Sequence, residues 1–133
     1  MPHLYHALII EDDPNSSDIL KELLSSEAID CTTVLDSRLI PQVMNKLIPP
    51  DVIFLDLEMP HLNGYEVIDL LKSIPEWAAI PVVACTVHLN EVHTARSKDF
   101  HSFIVKPIDM DTFPDQVRRI LDNEPVWDIG RLR

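Results

Sequence analysis

Glycine is scarce in this chain, because only Gly64 and Gly130 occur among its 133 residues. Two isolated glycines cannot build the glycine-rich loops that cradle phosphate groups, and neither a GxGxxG fingerprint nor a P-loop motif is present. The sequence therefore excludes the usual nucleotide-binding loops as the basis of its chemistry.

Basic residues and long apolar runs are also few. The chain has 11 lysines and arginines against 22 acids, a net charge of −11. This balance disfavours nucleic acid and anionic membranes, which require basic patches, and favours a cation site or a basic partner. No apolar run approaches the roughly 20 residues of a membrane span, and the first residues do not resemble a signal peptide. We expect a cytoplasmic protein without direct nucleic-acid or membrane contacts.

Cysteine is nearly absent as well, with Cys31 and Cys85 as the only two. Both lie in apolar, strand-like contexts, which favours free buried thiols in a reducing compartment over a disulfide. The chain length is typical of one domain, since roughly 100–200 residues make up most domains.

Short apolar runs alternate with helix-patterned stretches along the chain. Asp13 and Pro14 form a helix start, and apolar residues at helical spacing from Ile19 to Leu24 predict that helix's buried face. Residues 73–80 are predicted as a loop. The five predicted strands cover residues 6–10, 31–35, 52–56, 82–85 and 103–105. Strands that alternate with helices predict a flavodoxin-like, doubly wound α/β fold, with five parallel strands in the order 2-1-3-4-5 and helices on both faces.

Acidic residues follow two strands that are neighbours in this order. Glu11 and Asp12 follow the first strand, and Asp56 ends the third. Because the carboxyl ends of parallel strands meet at one edge of the sheet, we expect the three carboxylates to share a crevice. Clustered carboxylates repel one another, and a hard cation such as Mg²⁺ or Mn²⁺ relieves the repulsion. The alternative is a solvated turn followed by a helix capped by Asp13.

The fourth and fifth strands end in Thr86 and Lys106 at the same edge. A hydroxyl donor and an ammonium group beside a carboxylate–metal cluster suit a phosphoryl group, whose charge lies on its oxygens. Asp56 can act as the nucleophile and form an acyl phosphate. Taken singly, Lys106 could equally form a structural ion pair and Thr86 could end a strand.

Four segments resemble the receiver domain of two-component response regulators over residues 5–123. Asp56 precedes Thr86 by 30 positions and Lys106 by 50, which fits the family pattern. The matching segments are Ile10-Glu11-Asp12-Asp13-Pro14, Leu55-Asp56-Leu57-Glu58-Met59-Pro60-His61-Leu62-Asn63-Gly64, residues 80–86 and residues 103–107.

This resemblance implies a phosphoryl switch. Asp56 resembles the phosphoacceptor, and Glu11, Asp12 and the backbone carbonyl of Glu58 resemble the partners of Mg²⁺, with Mn²⁺ as a substitute.

The resemblance also assigns the switch residues. Thr86 would bond a phosphoryl oxygen, Lys106 would pair with the phosphate, and Phe103 stands where the family carries an aromatic that turns inward. One new dianionic group then biases a two-state element.

The chain departs from the family pattern near the site. Val87 replaces a small residue after Thr86, Phe103 has no hydroxyl, and Asp99 stands where glycine is common. Glu58 and His88 occupy positions that tune dephosphorylation in the family. These departures bear on rates more than on the chemistry.

The expected organisation is a stand-alone regulator, with a receiver domain over residues 1–123 and a tail over 124–133 without an output domain. A histidine kinase or phosphotransfer protein would supply the phosphoryl group. Output would pass through protein contacts on the face of predicted helix 4, strand 5 and helix 5. In the tail, Trp127, Ile129 and Leu132 are candidates for docking on the domain or on a partner.

Two other functions remain open. A degenerate receiver would bind protein partners without being phosphorylated. An Asp-nucleophile phosphatase tends to place a second Asp two residues after the nucleophile, where this chain has Glu58. Treatment with Mg²⁺ and an acyl phosphate separates the three.

Overall fold

The computed structural model describes residues 4–130. The outermost residues of the predicted receiver domain and tail, 1–3 and 131–133, lie outside this range, and Leu132 is among them. The strands are β1 (His6–Ile10), β2 (Asp30–Val34), β3 (Val52–Asp56), β4 (Val82–Thr86), β5 (Ser102–Val105) and β6 (Trp127–Asp128). The helices are α1 (Pro14–Ser26), α2 (Ile40–Lys46), α3 (Gly64–Lys72), α4 (Pro75–Ala78), α5 (Val92–Arg96) and α6 (Phe113–Leu121).

The strands form one parallel sheet in the order β2-β1-β3-β4-β5-β6. The predicted doubly wound α/β fold and the order of its first five strands are confirmed. The predicted strand count was wrong, since a sixth strand lies in the segment that was predicted as a tail. A strand of two residues is too short to show the alternation by which strands are recognised, so sequence pattern alone could not detect it.

Helix ends follow the local sequence closely. Asp13 caps α1 by accepting a hydrogen bond from the Asn15 N–H, as predicted, and Pro14 occupies the first helical position. Asn63 and Glu66 form a capping box at the start of α3, in which each side chain accepts a hydrogen bond from the other residue's backbone N–H. The positions of both helices relative to β1 and β3 are thereby set by short sequence signals.

Two predicted details were wrong. The segment 73–80 contains α4 rather than only a loop, because Trp77 is 2% exposed and its burial orders that turn. Ile19 does not belong to the buried face of α1, since it is 54% exposed. In addition, 3₁₀ turns precede α2 and α5, at Ser37–Leu39 and Leu89–Glu91.

Each face of the sheet has its own apolar core. On one face β4 and β5 contribute Ala84 and Phe103, while on the other they contribute Cys85 and Ile104. Both cysteines are free, as predicted, but only Cys85 is buried, whereas Cys31 is partly exposed. Burial raises the pKa of the Cys85 thiol to about 12. Within residues 4–130, none of the helices has the length and apolar character needed to cross a bilayer.

Candidate functional site

Three carboxylates meet at the carboxyl ends of β1 and β3. Ile10 pairs with Leu55 across the two strands, so the residues that follow, Glu11 and Asp56, are carried to the same crevice. Carboxylate oxygens of Glu11, Asp12 and Asp56 lie within 4.8 Å of one another. Glu11 is 4% exposed and Asp56 is 9% exposed. Asp12 is more exposed, so water screens it better than the other two carboxylates.

Lys106, the residue after β5, partly neutralises this negative charge. The Lys106 Nζ donates a hydrogen bond to Glu11 Oε1 and lies 4.0 Å from Asp56 Oδ1. Burial and the neighbouring Glu11 carboxyl group raise the pKa of Asp56 to about 8, against the opposing effect of Lys106. Burial alone would lower the pKa of Lys106, but its contacts with Glu11 and Asp56 raise it overall. A single ammonium group does not balance three carboxylates.

The acidic crevice fits a hard divalent cation. Glu11 Oε2 is buried and has no hydrogen-bond partner within the described residues, so it is available as a ligand. The donor set is oxygen only, which suits Mg²⁺ or Mn²⁺. The three carboxylates could all contribute, and the positive charge would favour the ionised form of Asp56 and so oppose the rise in its pKa.

Gly64 fixes the loop that follows Asp56. A Cβ atom at this position would lie 2.7 Å from the backbone oxygen of Asp56 and 2.7 Å from Leu57 Cα. No real side chain tolerates such distances, so only glycine lets α3 begin this close to the end of β3. The Gly64 N–H donates to the Leu57 carbonyl at 3.0 Å, which holds the loop in place.

The other side of Asp56 carries a small hydrogen-bond network. The Thr86 hydroxyl donates to Glu58 Oε1 at 2.8 Å and accepts a hydrogen bond from the His88 N–H at 3.0 Å. His88 Nε2 lies 2.9 Å from Glu58 Oε2. The Glu58 N–H donates to Asp56 Oδ1 at 3.2 Å, which joins this network to the acidic crevice.

Phe103 is completely buried on the face that also carries Thr86. Register pairs Phe103 with Ala84 on β4 and with Trp127 on β6. The rings of Phe103 and Trp127 are stacked, with centroids 6.0 Å apart and planes 7° apart. The predicted switch aromatic thus lies inward and is covered by the segment after α6.

An apolar cavity of about 420 Å³ opens beside Asp56 and Lys106, between α1 and the loop that follows β5. Its rim includes Ile19, Val87 and Met110, which are 54%, 61% and 67% exposed. Val87, the departure from the usual small residue, therefore points to the cavity rather than into the core. Exposed apolar side chains around a polar centre are typical of a protein contact.

Sequence reasoning missed three features of this site: the Glu58 side chain as acceptor for Thr86, the close approach at Gly64, and the apolar rim. Ile19 could have indicated the rim, because Leu20 and Leu24 already form the buried face of α1 and Ile19 is an additional apolar residue outside it. Asp99, which replaces the usual glycine, adopts φ 64°, a left-handed conformation that Asp tolerates better than most residues.

The chain is thus a doubly wound α/β domain with an acidic crevice at the carboxyl edge of its sheet. The family model of the response regulator receiver domain matches residues 7–118. The chain therefore belongs to the response regulator receiver family, and its role is phosphorylation-dependent signalling within two-component systems.

Three comparisons illustrate the relationship. A 14.6 kDa protein of the sodA1 3′ region of Leptolyngbya boryana is 25% identical over 104 residues, which is 77% of this chain and 79% of that protein. RpaA of Synechocystis, a DNA-binding dual master transcriptional regulator, is 30% identical over 118 residues. The match covers 86% of this chain but only 48% of RpaA, so the chain spans about half the length of that relative.

Among solved structures, the signal receiver domain of a histidine kinase from Syntrophus aciditrophicus has a TM-score of 0.79 at 28% identity. The match covers 89% of this chain and 90% of that one.

Proposed function

We propose that the chain is a switch that accepts a phosphoryl group on Asp56 from a histidine kinase or a phosphotransfer protein. The observation that carries the proposal is the crevice itself: a buried carboxylate flanked by two more acids and a lysine, with a Glu11 oxygen that has no partner among residues 4–130. Clustered, buried acids lower the stability of the folded protein, as the raised pKa of Asp56, about 8, indicates. A turn with a purely structural role would gain nothing from such an arrangement.

The proposed reaction is a direct displacement at phosphorus. An Asp56 carboxylate oxygen forms the new P–O bond while the P–N bond to the donor imidazole breaks, and the leaving nitrogen keeps the electron pair and takes a proton from solvent. Asp56 must be ionised to attack, and the neighbouring acids oppose its ionisation. A bound Mg²⁺ ion would supply the positive charge that favours ionised Asp56 and offsets the charge of the phosphoryl group. Glu11, Asp12, Asp56 and the Glu58 backbone carbonyl would hold it.

Two side chains are proposed to meet the transferred group. Lys106 Nζ, 4.0 Å from Asp56 Oδ1, would pair with a phosphoryl oxygen. The Thr86 hydroxyl would exchange its bond to Glu58 for a bond to another phosphoryl oxygen. Phe103, on the same face of the sheet, would respond to the movement of Thr86 and act as the switch aromatic.

We place the donor protein on the apolar rim beside Asp56. Ile19, Val87 and Met110 are exposed there, and burial of apolar side chains on contact would exclude water from the reaction. For output we propose protein contact through the face of α5, β5 and α6. This face corresponds to the predicted helix 4, strand 5 and helix 5.

The test is incubation with acetyl phosphate and Mg²⁺, followed by intact-mass and peptide analysis. We expect stable addition of one phosphoryl group at Asp56. The Asp56→Asn variant should not be labelled, whereas Asp13→Asn, which makes the same change outside the crevice and keeps a helix-capping side chain, should be labelled normally.

The other outcomes would replace the proposal. No modification would favour a receiver that binds partners without phosphorylation. Steady phosphate release without a stable label would favour the Asp-nucleophile phosphatase, and persistent labelling of Asp56→Asn would refute the acceptor assignment.

A further inference from the structure

The segment after α6 is packed along the edge of β5. We call residues 125–130 the strap. Its strand, β6, runs parallel to β5 in the register Phe103–Trp127 and Ile104–Asp128. The Phe103 N–H donates to the Val126 carbonyl at 2.8 Å, and the Val126 N–H donates to the Ser102 hydroxyl at 2.9 Å.

Side chains hold the strap on both faces of the sheet. Val126 is 6% exposed and joins one apolar core, while Trp127 packs against the other through Phe103. The Arg96 guanidinium of α5 lies 4.6 Å from the centre of the Trp127 ring, and Gln116 of α6 donates to Asp128 at 2.7 Å. The strap thus contacts α5, β5 and α6, the face proposed above for output.

A row of side chains connects the strap to the site. Register aligns Leu55, Ala84, Phe103 and Trp127 across four neighbouring strands, and Asp56 follows Leu55 directly. Thr86 lies two positions after Ala84, so it projects from the same face of the sheet as Phe103. Phe103 therefore lies between Thr86 and Trp127 on this face of the sheet.

Despite these contacts, the strap is short and lies at the edge of the sheet, so it can be released without unfolding the domain. Its strand has only two residues, and Trp127 is half-buried. A strand this short at a sheet edge opens more easily than the central strands, which are buried on both faces.

We propose that the strap is a gate on the output face: it covers the edge of β5 while Asp56 is unmodified and is released when Asp56 carries a phosphoryl group. This inference rests on the proposed function. Thr86 leaves Glu58 for the phosphoryl group, the packing of Phe103 on this face of the sheet changes, and the stack on Trp127 is lost. The released strap leaves the Phe103 N–H and the edge of β5 open to an extended segment of a partner protein.

Docking of the strap and binding of a phosphoryl group must influence each other reciprocally. If phosphorylation weakens the docking of the strap by a given factor, loss of the strap must strengthen binding of a phosphoryl mimic by the same factor. Trp127→Ala removes the stack and the contact with Arg96 without touching the crevice. We expect it to raise the affinity for beryllofluoride in Mg²⁺ by about tenfold, within the usual range of coupling.

The decisive experiment is hydrogen exchange of the Phe103 amide in the whole chain, with Mg²⁺, before and after addition of beryllofluoride. We expect exchange to accelerate by about tenfold or more as the strap opens. The control amide is that of Ile53 in the central strand β3, which donates to the Pro81 carbonyl away from the strap and should not change. The Asp56→Asn variant, treated identically, should show no acceleration.

Labelling of Asp56 by acetyl phosphate is measured on the same preparation, so that the two proposals can fail separately. Labelling with an unchanged Phe103 amide, or with an unchanged affinity in Trp127→Ala, would overturn the gate and leave the phosphoacceptor standing. Absence of labelling would overturn the proposed function, and the gate with it.

Discussion

Asp56 has two unlike sides. Toward β1 lie two further carboxylates and an ammonium group, and the ion pair there is buried: the side chains of Lys106 and Glu11 are 17% and 5% exposed. Toward β4 lies another acid–base pair, His88 and Glu58, whose side chains are 54% and 48% exposed. The same kind of contact is thus made once in the interior and once at the surface. Burial, rather than the residue types, should decide what each pair contributes, because water screens the second and not the first.

Removal of Lys106 should have the largest effect on stability. Lys106→Met leaves Glu11 and Asp56 without a counter-charge, and loss of one partner from a buried ion pair costs about 3 kcal/mol. Urea unfolding at pH 7 in the presence of a chelator measures the free energy of unfolding. Lys98→Met, the same change at an exposed lysine, should cost less than about 0.5 kcal/mol. If Lys106→Met behaved like this control, the buried ion pair would contribute no more to stability than an exposed lysine does.

Asp56→Asn should change stability in the opposite direction. The variant removes one of three crowded acids and should be more stable than the wild-type protein by about 2 kcal/mol in metal-free buffer at pH 8, because burial and Glu11 disfavour the ionised form of Asp56 there.

The sign of the pH dependence follows from the raised pKa of Asp56. Its folded-state pKa of about 8 lies above the ordinary value of 3.8, so the folded protein holds the proton more tightly than the unfolded chain. The wild-type protein should therefore lose stability relative to Asp56→Asn as pH rises from about 4 to about 8, with no further loss above that range. Thermal unfolding across this range in chelator tests it, and a constant difference between the two proteins would contradict it.

The next largest effect should be the stabilisation of the folded protein by Mg²⁺ bound at the acidic crevice. Binding to the folded state alone at ten times the dissociation constant adds about 1.4 kcal/mol, which appears as a higher melting temperature. The control is potassium chloride at matched ionic strength, which should not reproduce the effect. An unchanged melting temperature through the millimolar range would remove the metal assignment without affecting the fold.

Most of the contacts of Asp56 with Glu11 and Lys106 could be predicted from the sequence. The contacts among Glu58, Thr86 and His88 could not. The positions of Glu11, Asp56 and Lys106 follow from strand order, because parallel strands end at one edge. The contact between Thr86 and Glu58 depends on side-chain rotamers within a loop, which no periodic pattern encodes. β6 escaped detection for a related reason: two residues pair with β5 because Trp127 meets Phe103, a tertiary contact without a local signal.

Glu58→Gln should have the smallest effect and gives the comparison its sharpest test. Glutamine retains an oxygen that can accept the hydrogen bond of the Thr86 hydroxyl, so only the contact between the other carboxylate oxygen and His88 is changed. Exposed contacts of this kind contribute between nothing and about 1 kcal/mol, so we expect a change under about 0.5 kcal/mol in urea unfolding at pH 7. Glu58→Ala also removes the acceptor of the buried Thr86 hydroxyl and should cost about 1 kcal/mol more. Should Glu58→Gln instead cost as much as Lys106→Met, burial would not be what separates the two sides of Asp56.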